Sequence, residues 1–404
     1  MSPVSFIPIL PVLAVALFTL HWWAKILGIR PAEGKFAPID GLRGYMAFFV
    51  FLHHSCIWYF MTHGYGWGFP PSYLYRHFGP TSVAVFFMIT SFLFFSKLLE
   101  ARAGEIDWIK LYIGRCLRIL PLYLVAVFIL ILIVAIHTGF TLHEPLVNVL
   151  WEITQWLLYI QVDINGLTPT WLINAYVFWS LPYEWLFYFM LPFLGLLTKI
   201  RASHKVLFIA LAGGLFFFYA IVIFQTVATF KWLLPFLSGL IAAYLSRSGK
   251  IRDMAAGPMA SFLIIISLYI TVAFFPDAHG AIPLLLLSFS FITIACGNTL
   301  FGALTHSLSR TLGQISYSIY LLHGIILFIA FKWVIGFRQA GSLSPLEHWF
   351  IILFCSVAVI LVCGITYRFI ERPAQKAAPT VYNSVSRLGI GHQHTSGKRG
   401  LKIP

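Results

Sequence analysis

Long apolar stretches, separated by short polar ones, recur from one end of the chain to the other. A helix needs ~20 mostly apolar residues to cross a bilayer, and the pattern predicts eleven such helices. They fall at residues 4–24, 42–62, 80–99, 117–137, 175–197, 206–225, 231–246, 259–275, 282–302, 315–335 and 348–369. Segment 146–160 is also apolar, but Glu152 and Gln155 interrupt it, so it predicts an interfacial or re-entrant helix. The first stretch lacks a basic flank and carries Pro8 and Pro11, unlike a cleaved signal peptide, and Trp22, Trp23 and Lys25 make an interfacial anchor. The expected fold is an all-α integral membrane protein, a bundle of ten core transmembrane helices plus one extra N-terminal hydrophobic helix. Residues 1–37 form that helix and a linker, 38–376 the membrane domain, and 377–404 a basic flexible tail.

Composition agrees with lipid as the main solvent. Of 404 residues, 60% are hydrophobic, 17% aromatic and only 10% charged, too little polar surface to clothe a soluble globule of this size. The net charge of +14 does not indicate a nucleic-acid partner, because the cations lie in short loops between apolar runs. Of the 27 Lys and Arg, only Arg76, Lys231, Lys332 and Arg338 fall on one side of the predicted topology. The positive-inside rule makes the other side, with the C-terminus, cytoplasmic. The five cysteines show no CxxC spacing, so neither a disulfide framework nor a zinc site is indicated. His392 and His394 form an HxH in the polar tail, which reads as a solvated pair and not as a metal site.

Ionisable groups inside spans are costly, and each is a candidate functional residue. Arg43 and His54 are eleven residues apart, which returns to within about 20° of one helix face, with His54 about 16 Å deeper. His53 points about 100° away. Glu184, in WSLPYEW, reaches a similar depth from the opposite side, and Ser316, Tyr320 and His323 share one face of a third span. Arg115 and Arg118 in RCLRILPLY project together at the cytoplasmic mouth of a span, where guanidinium forks suit the phosphates of an anionic cofactor. Anchoring to anionic lipid is the competing role for that pair. For the buried groups it is hydrogen bonding within the bundle. A transporter or flippase would also place ionisable residues at mid-membrane, and a noncatalytic scaffold is a third possibility.

The segments IDGLRGYMAFFVFLHH, GPTSVAVFFMITSFLFF, RCLRILPLY, WSLPYEWLFYFMLP, ISYSIYLLHG and RFIERP follow one another between residues 38 and 376. In order and spacing they resemble the membrane-bound acyltransferase family 3. That resemblance implies transfer of an acetyl or other short acyl group from coenzyme A to sugar hydroxyls of cell-surface or lipid-linked glycans, in a bacterial inner membrane. It implies that Arg43 and His54 are the family's essential pair and that Arg115 and Arg118 are its RxxR motif. Two departures stand out: Ser91 replaces the glycine of FFxxSGF, and Trp185 follows Glu184. The resulting expectation puts acetyl-coenzyme A at Arg115 and Arg118, with its acyl arm running inward along Ser316, Tyr320 and His323. His54 then acts as general base, Glu184 orients the imidazole or the acceptor, and Arg43 stabilises charge on the thioester oxygen. No metal is expected, and the partners are acyl-coenzyme A on the cytoplasmic side, a glycan on the other, and membrane lipid. The acceptor side, residues 138–174, has no Lys or Arg but carries Glu144, Glu152, Asp163 and several aromatic rings.

Overall fold

The computed structural model describes residues 2–31, 34–101, 106–224 and 230–387, whose regular structure is helical apart from one isolated bridge between Ile164 and Leu167. Helix α1 is Ile9–Leu27, α2 Ala37–Phe60, α3 Tyr73–Phe78, α4 Pro80–Glu100, α5 Trp108–His137 and α6 Leu146–Leu157. There follow α7 (Leu181–Leu197), α8 (His204–Phe224), α9 (Leu234–Leu245), α10 (Gly249–Ala256), α11 (Pro258–Phe274) and α12 (Ala281–Ala295). The chain then forms α13 (Ser307–Gln314), α14 (Ser316–Phe328), α15 (Phe337–Ala340), α16 (Pro345–Thr366) and α17 (Arg372–Arg387).

Among the described residues, seven helices are long and apolar enough to cross a membrane, and up to eight if α10 and α11, bent by 74°, make one span. The expected ten plus one is therefore not reproduced by length and composition alone. Helices α9 and α12 have 12 and 15 residues and fall short of a ~30 Å hydrocarbon core. Helix α2 is long enough, at 24 residues, but Asp40, Arg43, His53 and His54 lower its hydropathy. It is the buried centre of the bundle, with α4, α13 and α14 packed on it.

The amphipathic α6 has only 12 residues, consistent with an interfacial helix: Val149 and Trp156 are buried, whereas Leu146, Val147, Leu150 and Trp151 are exposed. Helix α1 packs along α16, where the Trp23 indole donates to the Leu361 carbonyl at 3.0 Å. Two boundaries differ from expectation. The span predicted from 117 starts at Trp108, because Asp107 caps it by accepting from the Lys110 N–H at 2.9 Å. The tail predicted to be flexible from 377 begins as helix α17, docked on α5, with the Tyr382 hydroxyl donating to Asp107. His392 and His394 lie outside the described residues.

The substitution at Ser91 has a packing explanation. A Cβ on Gly239 of α9 would overlap Ser91 Oγ and the Met88 carbonyl and lie 2.8 Å from Phe92 N. The space that a glycine on α4 would provide is supplied instead by glycine on α9, and Ser91 satisfies its hydroxyl on the Met88 and Phe87 carbonyls, each at 3.1 Å.

Candidate active site

Two groups of residues form at different depths of the bundle. The first lies where α2 begins and α5 enters. A Cβ on Gly44 would stand 2.6 Å from the Gly313 nitrogen, so α2 and α13 meet backbone to backbone. One residue earlier, Arg43 reaches across this contact: its Nε donates to the Gly313 carbonyl at 3.3 Å and its Nη2 to Asp40 at 3.2 Å. Arg43, Arg115, Arg118, Glu184, Ser316 and Tyr320 line one cavity of about 110 Å³.

Arg115 stacks over the Phe94 ring at 4.9 Å and lies 5.9 Å from that of Tyr188, whose hydroxyl donates to Glu184. A carboxylate in such a setting needs nearby cations to offset its desolvation, and Arg115 and Arg118 are its foremost charged neighbours. The Ser316 hydroxyl donates to the Gly313 carbonyl at 2.9 Å, and that of Tyr320 to the Val177 carbonyl at 2.9 Å. Three guanidiniums from two helices thus face a narrow space walled by Phe86, Phe87 and Phe94.

The second group lies deeper. Nδ1 of His54 is 2.9 Å from Nε2 of His323, and Nδ1 of His323 is 2.8 Å from the Ile319 carbonyl. A carbonyl only accepts, so His323 carries its proton on Nδ1. In a neutral His323, Nε2 then accepts, which makes His54 Nδ1 the donor and leaves His54 Nε2 with a free lone pair. The pair therefore fixes His54 in the tautomer that a base requires. Trp67 stacks on His54 with centroids 5.8 Å apart and planes at 20°, and Trp171 meets Trp67 edge-on, also at 5.8 Å. His53, by contrast, is turned to the Tyr75 carbonyl at 2.6 Å.

Several expected pairings are rearranged. His323 meets His54 and is absent from the lining of the arginine cavity. Glu184 is bonded to Tyr188 and not to either imidazole. Arg43 is bonded to Asp40 and the Gly313 carbonyl, about 16 Å of helix rise from His54. Between the two groups stands Tyr320, which lines the cavity and whose ring centroid is 6.4 Å from that of His323. In the segment expected to meet the acceptor, Glu152 accepts from the Asn165 N–H at 3.0 Å, and Asp163 accepts from Thr170 N and Thr168 Oγ, each at 2.9 Å. These two carboxylates are spent on holding their own loop.

Sequence reasoning missed the partners. Asp40 with Arg43 and Glu184 with Tyr188 stand at i,i+3 and i,i+4, spacings that were available to read. The His54–His323 bond, across 269 positions, has no local signal. Glu371 of RFIERP was also passed over: it is 1% exposed, accepts from the Ser318 hydroxyl, and has Arg118 and Arg43 as its charged neighbours.

The family model of acyltransferase family 3, described as an acyltransferase domain, matches residues 36–368. The chain belongs to this family and is a multi-pass membrane acyltransferase. No curated protein and no solved structure matches it.

Proposed function

We propose that the protein transfers an acetyl or other short acyl group from acyl-coenzyme A, bound at the cytoplasmic face, to a hydroxyl of a cell-surface or lipid-linked glycan on the opposite face, in a bacterial inner membrane. In this reading α2, α9 and α12 also cross the bilayer, giving ten core spans plus α1, with the C-terminus in the cytoplasm. The observation that carries the proposal is the pairing of a basic cavity with a tautomer-fixed histidine about 16 Å further along α2 than Arg43. Arg43, Arg115 and Arg118 hold the coenzyme phosphates. The pantetheine arm, long and flexible, runs inward over the ~16 Å between Arg43 and His54.

His54 Nε2 then takes the proton of the acceptor hydroxyl as its oxygen attacks the thioester carbon, and the coenzyme leaves as its thiolate. A positioned base of this kind contributes roughly 10² to 10⁴ in rate. For the thioester to meet His54, the Tyr320 ring has to swing aside, breaking its bonds to Val177 and Ser180. The acceptor arrives from the Trp67 and Trp171 side, since aromatic faces suit the C–H surface of a sugar ring. Glu184 acts as counter-charge to the arginines and not as the orienting partner of His54.

The test is transfer of radiolabel from acetyl-coenzyme A to a polysaccharide acceptor by the purified protein. Labelled glycan supports the reading. Absence of transfer, with glycan instead moved intact across proteoliposomes, would return the chain to a transport role.

A further inference from the structure

A second cavity, of about 510 Å³, lies at the same end of the bundle as the start of α2 and the end of α4, and the proposed reaction does not use it. Phe36, Ile39, Ala243 and Ile294 make its apolar wall, and Lys35, Glu100, Arg247 and Arg252 its charged rim. Lys35 and Glu100 satisfy each other at 2.6 Å. Among the described residues neither Arg247 nor Arg252 has a carboxylate within ion-pair distance. Ser96, 5% exposed and also in the lining, has a hydroxyl with no hydrogen-bond partner, unlike Ser91 on the same helix. A buried hydroxyl without a partner is costly unless a ligand completes it.

The position of Arg252 is built into the fold. The break between α10 and α11 is clamped by Asn298, fully buried, which donates to the Ala255 carbonyl at 2.7 Å and accepts from Ser261 Oγ at 3.0 Å and from Leu300 N at 2.9 Å. The cavity thus offers two guanidinium forks, one spare hydroxyl donor and an apolar wall. Its complement is a ligand rich in anionic acceptors and attached to something less polar.

We infer that this cavity binds a phosphate ester, at a site separate from the Arg115 and Arg118 cavity. Two sources supply that chemistry at a membrane surface: the headgroup of an anionic phospholipid, or a phosphate of the donor coenzyme itself. Only the second rests on the acyl-coenzyme A reading above.

The protein is purified in nanodiscs of phosphatidylglycerol and phosphatidylcholine, and lipid retained per chain is counted by native mass spectrometry. The variants are Arg247→Gln with Arg252→Gln, Ser96→Ala, and Lys205→Gln as a basic control outside the cavity. A headgroup site predicts that the arginine double variant loses its preference for phosphatidylglycerol by roughly tenfold, that Ser96→Ala loses part of it, and that Lys205→Gln keeps it. A coenzyme site predicts unchanged lipid retention, but a KM ratio of 3′-dephospho-acetyl-coenzyme A to acetyl-coenzyme A that falls toward one in the double variant only. Both arginines are exposed, so their replacement leaves the packed interior alone, and Ser96→Ala provides an independent second reading. If lipid preference and the KM ratio are both unchanged in every variant, the inference is overturned and the arginines are topological anchors. Loss of lipid preference in a protein that transfers no acyl group would uphold this site while overturning the proposed function.

Discussion

His323 points Nε2 at Nδ1 of His54 across 2.9 Å, and its own Nδ1 is committed to the backbone one turn earlier. Because the second bond dictates the first, His323 is a positioning residue that acts through His54. Replacing it with alanine frees His54 to take either tautomer. The expected result is a kcat reduced by roughly tenfold to a hundredfold with KM for acyl-coenzyme A unchanged, a smaller loss than removal of a base. Single-turnover kinetics on His323→Ala checks this, and a rise in KM alone would move His323 to donor binding.

The arginines make the opposite split. Arg115→Gln with Arg118→Gln removes two charge-assisted contacts to phosphate, so KM for acyl-coenzyme A should rise by about tenfold or more while kcat stays within a few-fold. Lysine at these positions should restore only part of the affinity, because it lacks the planar fork. Unchanged KM in the glutamine variant would assign both residues to lipid anchoring.

The contact of α4 with α9 yields a prediction about stability. Gly239→Ala forces a methyl against Ser91 and the Met88 carbonyl and should cost about 1–3 kcal/mol, read as a lower Tm in detergent. Adding Ser91→Gly relieves the side-chain part of that clash and should recover some of the loss. Equal Tm for Gly239→Ala and wild type would contradict the packing described.

The 275–280 loop, which joins α11 to α12, is expected to be sensitive to acid. Burial lowers the His279 pKa, with the neighbouring Asp277 carboxylate only partly opposing it. Burial also works against the Asp277 carboxylate, but the His279 backbone N–H and ring outweigh it and hold its pKa below the usual value. Both groups bind protons more readily when unfolded, so stability rises with pH. The His279 contribution is complete above its unfolded value of about 6.5 and is lost as pH falls through the lower folded value, and that of Asp277 fades only below about 3.9. Thermal unfolding between pH 8 and 5 should show a Tm decline that flattens in His279→Asn. An identical decline in that variant would place the acid-sensitive group elsewhere.

How much of this was legible in the sequence depended on range. Periodicity gives depth along a helix, so His54, Glu184 and His323 could be placed at similar levels from their distance to a polar edge. It says nothing about which neighbour a side chain meets, and the three did not converge: Glu184 turned to Tyr188 on its own helix, while His323 found His54. The motif places Arg43 on α2, and its bonds to Asp40 and the Gly313 carbonyl, set by α13, could not be read from it. Length and composition alone do not confirm spans at α9 and α12, whose apolar runs include irregular ends, or at α2, whose polar residues are buried among other helices. The polar composition of residues 377–387 hid a helix that α5 stabilises from outside.

The central claim is that His54 is the base of the transfer and takes no part in holding the donor. The most direct measurement compares wild type and His54→Ala for acetyl-coenzyme A affinity, by calorimetry, and for label transferred to glycan at saturating donor. The account predicts equal affinity and a transfer rate lower by roughly 10² to 10⁴. Full transfer by His54→Ala would contradict it, as would a loss of activity fully explained by weaker donor binding.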